Sequence, residues 1–126
     1  MDNRLQVGID FSQKRADLCL LFPDGRPLES HIAFDNSFPG YSLAKHLLLD
    51  AVESYSLDGV DISGEATGYL WLPFFLQLAA DPDLAPHDLR LHLLNPRWVK
   101  WFKKCFAQED KTDAKDAFYI AERTRT

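Results

Sequence analysis

The sequence has little of several features that mark whole classes of protein. Its 126 residues include only two cysteines, Cys19 and Cys105, and these lack the spacing of a zinc site or a disulfide framework. No apolar stretch is long enough to cross a bilayer, and residues 1–6 lack the build of a signal peptide. These absences argue against a disulfide-rich secreted domain and a membrane protein, and they predict a cytoplasmic location.

A surplus of basic residues is also missing, since the net charge is -5. This argues against a domain that holds DNA by a broad basic surface, because such binding depends on Lys and Arg neutralising phosphates. Acidity does not exclude a nucleic-acid enzyme, since clustered carboxylates can hold cations that bridge to phosphate. With 46% hydrophobic residues the chain can bury a core, and its length predicts a single domain over residues 1–126.

Hydrophobic periodicity predicts three strands at the start of the chain. Apolar residues alternate over 4–11, an apolar run occupies 18–22, and a third strand is predicted at 27–34. The turn sequence Pro23-Asp24-Gly25 separates the second strand from the third. We therefore expect an antiparallel meander, with Asp10 near the end of the first strand.

The rest of the chain alternates helices with strands. Asn36-Ser37 can cap an amphipathic helix that reaches Tyr55, and the final helix is predicted from Asp113 to about Arg123. The elements between them are predicted as a strand at 60–63, a helix around 72–79, a strand at 89–93, a helix that starts at Pro96 and a loop at 106–112.

The resulting order, βββαβαβαα, predicts an α/β fold. Strands four and five are each reached through a helical crossover, so they are expected to run parallel to strand one. Strands two and three would add an antiparallel pair. The sequence therefore predicts a mixed five-stranded sheet flanked by helices.

Four acidic residues fall where this architecture would bring them together. Asp10 lies near the end of a predicted strand and Glu65 lies just past the end of another, at the edge where α/β sheets bind ligands. Asp113 and Asp116 share one face of the last helix. Clustered carboxylates repel one another unless they are protonated, paired with bases or bound to a cation. The pattern favours Mg²⁺ or Mn²⁺, because two such ions about 3.5–4 Å apart can stabilise the attacking and leaving oxygens in phosphodiester displacement.

Basic residues after the fifth strand are candidate nucleic-acid contacts. The helix from Pro96 carries aromatic residues whose spacing is typical of a buried stripe, with basic residues on its other side. Phosphate contacts are expected from Arg97, Lys100 and Lys104. Lys111, beside the acids, is either a further phosphate ligand or only their counter-charge.

Four motifs, in order along the chain, carry a resemblance to a known family. They are Val-Gly-Ile-Asp-Phe-Ser at 7–12, Glu-Ala-Thr-Gly-Tyr at 65–69, Leu-Asn-Pro at 94–96 and Lys-Thr-Asp-Ala-Lys-Asp-Ala at 111–117. Together they resemble the N-terminal DEDD domain of a bacterial insertion-sequence transposase family that includes the pilin-gene invertases and the bridge-RNA-guided recombinases.

This resemblance implies a RuvC-like version of the ribonuclease H fold. It also implies a DNA transposase or recombinase, acting in DNA transposition and recombination, whose partners are DNA, a guide RNA and further copies of itself. Two Mg²⁺ or Mn²⁺ ions would be held by the four matching catalytic acids, which are Asp10, Glu65, Asp113 and Asp116.

Family members also have a C-terminal domain with a nucleophilic serine, which is thought to join the acidic site across subunits. The sequence ends at Thr126, just after the last acidic motif. We therefore expect a fragment that lacks the serine domain, and we do not expect strand exchange by this chain alone.

Two other function classes fit part of the sequence. Gly-Ile-Asp-Phe-Ser at 8–12 also resembles the phosphate loop of actin- and sugar-kinase-type nucleotide-binding domains. That interpretation leaves Asp113 and Asp116 unexplained and lacks a second phosphate loop. The other alternative is a non-catalytic module that assembles subunits or binds RNA, and weak metal affinity would favour it.

Overall fold

The computed structural model describes residues 3–66, 68–95, 97, 117, 118, 120–122 and 125. The order of the elements up to the fifth strand agrees with the predicted βββαβαβ. They are β1 (Arg4–Phe11), β2 (Arg15–Leu21), β3 (Pro27–Asp35), α1 (Phe38–Ser54), β4 (Gly59–Glu65), α2 (Leu72–Ala80), a short 3₁₀ helix (Ala85–His87) and β5 (Leu89–Leu94).

The strands form one five-stranded mixed sheet in the order β3-β2-β1-β4-β5. β2 pairs antiparallel with both β1 and β3, whereas β4 pairs parallel with β1 and β5. The expected mixed sheet and the expected directions of strands four and five are thus confirmed. The helical crossovers that follow β3 and β4 explain why β1, β4 and β5 share one direction.

One face of the sheet, which we call the core face, packs against α1 and α2. Leu5, Val7 and Ile9 of β1 are fully buried there, as are Ile62 of β4 and Leu48 of α1. Ser37 caps α1 as predicted, because its side chain accepts a hydrogen bond from the amide of Gly40 at 3.2 Å. Among the described residues, no helix is both long and apolar enough to cross a membrane.

The opposite face, which we call the polar face, carries the alternate residues of the same strands. In β1 these are Arg4, Gln6, Gly8 and Asp10, since successive side chains of a strand point to opposite faces. Residues 117, 118, 120–122 and 125, which we call the C-terminal helical residues, are helical. Ala117 and Ala121 form a second, smaller apolar cluster with Cys19 and Leu21 of β2. Phe118 packs against this cluster.

The start of β2 was predicted wrongly. The apolar run predicted a strand from residue 18, but β2 begins at Arg15. The cause is Asp17, which is fully buried although it is charged, so it interrupts the apolar pattern without interrupting the strand.

Candidate active site

Asp10 and Glu65 lie next to each other at the carboxyl ends of two parallel strands. Ile9 is paired with Gly64 in the β1–β4 register, and the two acids follow these residues directly. Both belong to the polar face and both are half-buried. Because neighbouring strands lie about 4.8 Å apart, their side chains start within reach of a single ion. The expected meeting of these two strand ends is therefore found.

The C-terminal helical residues cross the same face close to Asp10. Gly8 precedes Asp10 by two positions, and a methyl group added to Gly8 would lie 2.9 Å from the Cα of Ala121 and closer still to the carbonyl oxygen of Ala117. The helix backbone thus rests directly on β1, which only a glycine permits.

Of the other predicted site residues, the structure describes only Arg97. Asp113 and Asp116 lie outside the described residues, as do Lys100, Lys104 and Lys111. Arg97 is described and exposed, and its amide donates a hydrogen bond to Asn95 Oδ1 at 2.9 Å. Within the described part of the chain, no three His, Cys, Asp or Glu side chains form a group that could hold a metal ion. The four-acid site therefore stays a prediction.

A third carboxylate, which was not predicted from the sequence, lies beside Asp10. Asp17 of β2 is the direct cross-strand partner of Asp10, and it is fully buried. Its Oδ1 lies 2.5 Å from Arg15 Nη2 and 2.5 Å from His31 Nε2. Burial by itself would raise the pKa of Asp17, but the hydrogen bonds from Arg15 and His31 outweigh it and hold the pKa below its usual range. The signal in the sequence was an aspartate directly before the apolar run at 18–22, with an arginine two residues earlier.

Asn36 ties together the loops that surround this edge of the sheet. Its side-chain amide donates hydrogen bonds to the carbonyl oxygens of Ser12, at 3.0 Å, and Leu70, at 3.1 Å. Its backbone amide donates to the carbonyl oxygen of Lys14 at 2.9 Å. Ser12 follows the strand of Asp10, and Leu70 lies in the loop after Glu65. A single side chain therefore links the loops that follow both acids.

Replacing Asn36 with aspartate is expected to lower the free energy of unfolding by about 1–3 kcal/mol. The new side chain has the same shape but no N–H donor, so both carbonyl groups lose their partner and face a carboxylate. Urea unfolding followed by circular dichroism measures the change. Asn3→Asp is a matched control, because Asn3 is exposed and donates one hydrogen bond, to Ser56. Equal losses in the two variants would contradict the linking role of Asn36.

Comparison with models of protein families shows which family the chain belongs to. Residues 7–126 match the model of the DEDD transposase family of the IS110 type, whose description is "Transposase". The chain belongs to this family. No curated protein matches it. The family match covers all four predicted acids, and it argues against the nucleotide-binding domain considered above.

The fold comparison agrees with this DEDD transposase assignment. RuvC of T. thermophilus, solved in complex with a Holliday junction substrate, is similar in structure, with a TM-score of 0.57 and 14% sequence identity. The match covers 94% of this chain and 90% of the RuvC chain. The DEDD transposase domain therefore has the predicted RuvC-like, ribonuclease-H-like α/β fold.

Proposed function

We propose that this chain is the acidic catalytic domain of a DNA transposase, in which Asp10, Glu65, Asp113 and Asp116 hold two Mg²⁺ or Mn²⁺ ions against a DNA phosphodiester. The observation that supports it best is the side-by-side placement of Asp10 and Glu65 at the carboxyl edge of β1 and β4. Family membership supports the transposase activity, and the RuvC structure with a bound Holliday junction supports DNA as the substrate.

The donor chemistry at this edge fits hard divalent cations. Carboxylate oxygens are the ligands that Mg²⁺ and Mn²⁺ favour, and half-buried carboxylates remain open to substrate on one side. Ala117, which directly follows Asp116 in the sequence, packs on the polar face with Ala121. The C-terminal helical residues thus lie over the strand that carries Asp10, which supports a contribution from the remaining two acids.

The chain's own part in catalysis is to orient ligands and substrate. When bound, the ions would supply charge stabilisation at the attacking and leaving oxygens of the phosphodiester. The placement of Asp10 and Glu65 on parallel strands rather than on loops supports this role, and Asn36 links the loops that follow them. Arg97, Lys100, Lys104 and Lys111 are proposed to bind flanking phosphates. The guide RNA, the homo-oligomer and the cellular location stay predictions.

Replacing either strand-end acid is expected to weaken Mn²⁺ binding by more than about tenfold, since even residues behind the direct ligands commonly contribute that much. Asp10→Asn and Glu65→Gln remove one charge each and keep the side-chain shape. Isothermal titration of the wild type and both variants with Mn²⁺ measures the effect.

Two substitutions of the same kind serve as controls. Asp24→Asn changes the turn after β2, and Glu53→Gln changes an exposed position on α1. Both should bind Mn²⁺ like the wild type. If Asp10→Asn and Glu65→Gln also bind like the wild type, the metal site is elsewhere or absent, and a non-catalytic assembly or RNA-binding module becomes the better interpretation.

A further inference from the structure

Three side chains beside Asp10 have no place in the proposed metal site. Asp17 is held by Arg15 through contacts of 3.1 Å from Nε to Oδ2 and 2.5 Å from Nη2 to Oδ1. His31, on the neighbouring strand β3, contacts the same carboxylate. We call these residues the Arg15 cluster. They form a compact charged group on the polar face, directly across from one of the predicted catalytic acids.

With a purely structural role, the Arg15 cluster would lower the stability of the sheet. Like charges directly opposite each other on neighbouring strands destabilise a sheet, and Asp17 is the cross-strand partner of Asp10. Asp17 is moreover fully buried, and removing a carboxylate from water costs free energy that an apolar residue would not. We therefore look for a binding role in the side chains that the cluster exposes to solvent.

Arg15 has the most exposed side chain of the cluster. Its side chain is 46% exposed, whereas Asp17 is completely buried beneath it. Arg15 is also the first residue of β2, and its carbonyl oxygen accepts a hydrogen bond from the amide of Ser12, just beyond the end of β1. Its guanidinium is thus anchored at the edge where Asp10 and Glu65 end, and it can be reached from outside.

We propose that Arg15, anchored by Asp17, which His31 also contacts, binds a phosphate of the DNA strand that passes the acidic edge. This inference rests on the proposed function, because the acidic edge must be where DNA approaches. A planar guanidinium matches two phosphate oxygens at once, and an arginine already fixed by a carboxylate loses little conformational entropy on binding. It supplies a positive charge beside carboxylates that would otherwise repel DNA.

The test is the salt dependence of DNA affinity. Removal of a single phosphate-binding side chain should reduce the slope of log K against log salt by about 0.9. We expect Arg15→Gln to show this reduction and weaker binding to a fluorescently labelled DNA duplex, measured in Mg²⁺ by anisotropy. Mn²⁺ binding, measured by titration, should remain.

Arg26→Gln is the matched control. Arg26 also pairs with an aspartate two residues away, Asp24, but it lies in the turn at the other end of β2. The substitution removes the same charge away from the acidic edge, where no phosphate contact is proposed, so its slope should equal that of the wild type. Because Arg15→Gln leaves buried Asp17 with less compensation, the double variant Arg15→Gln/Asp17→Asn is measured beside it. Removing both partners avoids an unpaired buried charge, so the double variant should fold and show the same reduced slope.

The outcomes separate this inference from the proposed function. Wild-type slopes in Arg15→Gln and in the double variant would overturn the Arg15 proposal and leave the metal site standing. A wild type that binds neither DNA nor Mn²⁺ would overturn both proposals. A reduced slope in both Arg15 variants, with Mn²⁺ binding intact and Arg26→Gln unchanged, would establish the phosphate contact.

Discussion

Replacing Arg4 with alanine is expected to lower the free energy of unfolding by about 3–5 kcal/mol, because it leaves the largely buried carboxylate of Asp61 without its guanidinium partner. Only 5% of the Arg4 side chain is exposed, and its guanidinium lies 3.0 Å from Asp61, which is 14% exposed. It also contacts Asp88 at 2.7 Å and donates to the carbonyl oxygens of Val60 and Asp88. One side chain thus joins β1 to β4 and to the segment before β5.

Urea unfolding measures this loss of stability. Two further variants show whether it comes from the uncompensated charge of Asp61. Arg4→Ala/Asp61→Asn should recover part of the stability, since the uncompensated charge is removed as well. Arg26→Ala breaks an exposed ion pair with Asp24 and should leave stability almost unchanged. Similar losses in Arg4→Ala and Arg26→Ala would mean that the Arg4 network contributes nothing beyond a surface pair.

The Arg4–Asp61 pair predicts that the stability of the fold depends on pH. Burial would raise the pKa of Asp61, but hydrogen bonds from Arg4 and Gln6 outweigh it, so the folded-state pKa lies below the usual value. The unfolded chain therefore binds the proton more readily. The stability that Asp61 contributes is present above the unfolded pKa, which is about 3.9, and is lost as pH falls through the folded pKa. The difference between the wild type and Arg4→Ala should accordingly shrink in acid.

Replacing Gly8 with alanine is expected to cost about 3 kcal/mol, the upper end of the usual range for overpacking. The added methyl group would overlap the backbone of Ala117 and Ala121, and backbone cannot turn aside as a side chain can. The helix would have to move away from β1, which would uncover Cys19 and Leu21, both fully buried. Because that helix follows Asp116 in the sequence, Mn²⁺ binding should weaken as well.

Gly64→Ala is the matched control for this prediction. Gly64 lies on the neighbouring strand β4 but on the core face, where a methyl group would meet the ring edges of Phe11, at 2.9 Å, and Phe75, at 3.2 Å. Rings can shift, so the expected cost is about 1 kcal/mol. Cys19 gives an independent measurement, because burial raises the pKa of its thiol to about 12. Its reaction with a thiol reagent should be slow in the wild type and faster in Gly8→Ala. Equal effects of the two substitutions on stability and thiol reactivity would contradict the proposed packing of the helix on β1.

Much of the fold could be predicted because its signals are local. Alternation over residues 4–11 predicted β1 with its observed bounds, and Ser37 was recognised as a cap from the residue type alone. The crossover rule then implied that β4 and β5 run parallel to β1. Where the local signal failed, at the start of β2, the cause was a buried charge whose partner His31 is 14 residues away in the sequence.

The candidate site was predicted less completely for the same reason. Asp10 and Glu65 could be assigned to strand ends, but their adjacency depended on the order of the strands in the sheet. Asp17 could not be placed opposite Asp10 without the β1–β2 register. Asp113 and Asp116 rest on their spacing in the sequence and on the motif match, since they lie outside the described residues.

By itself, the sequence determined the class of fold, the direction of the strands, the family and the acids to be considered. These depend on the hydrophobic period, turn chemistry and ordered motifs, all of which are properties of neighbouring residues. Only the tertiary structure decided that Arg15 is anchored beside Asp10, that Asn36 links the loops after both acids and that a helix rests on Gly8. Each of these depends on contacts between residues that are distant in the chain and meet only when the sheet has its register.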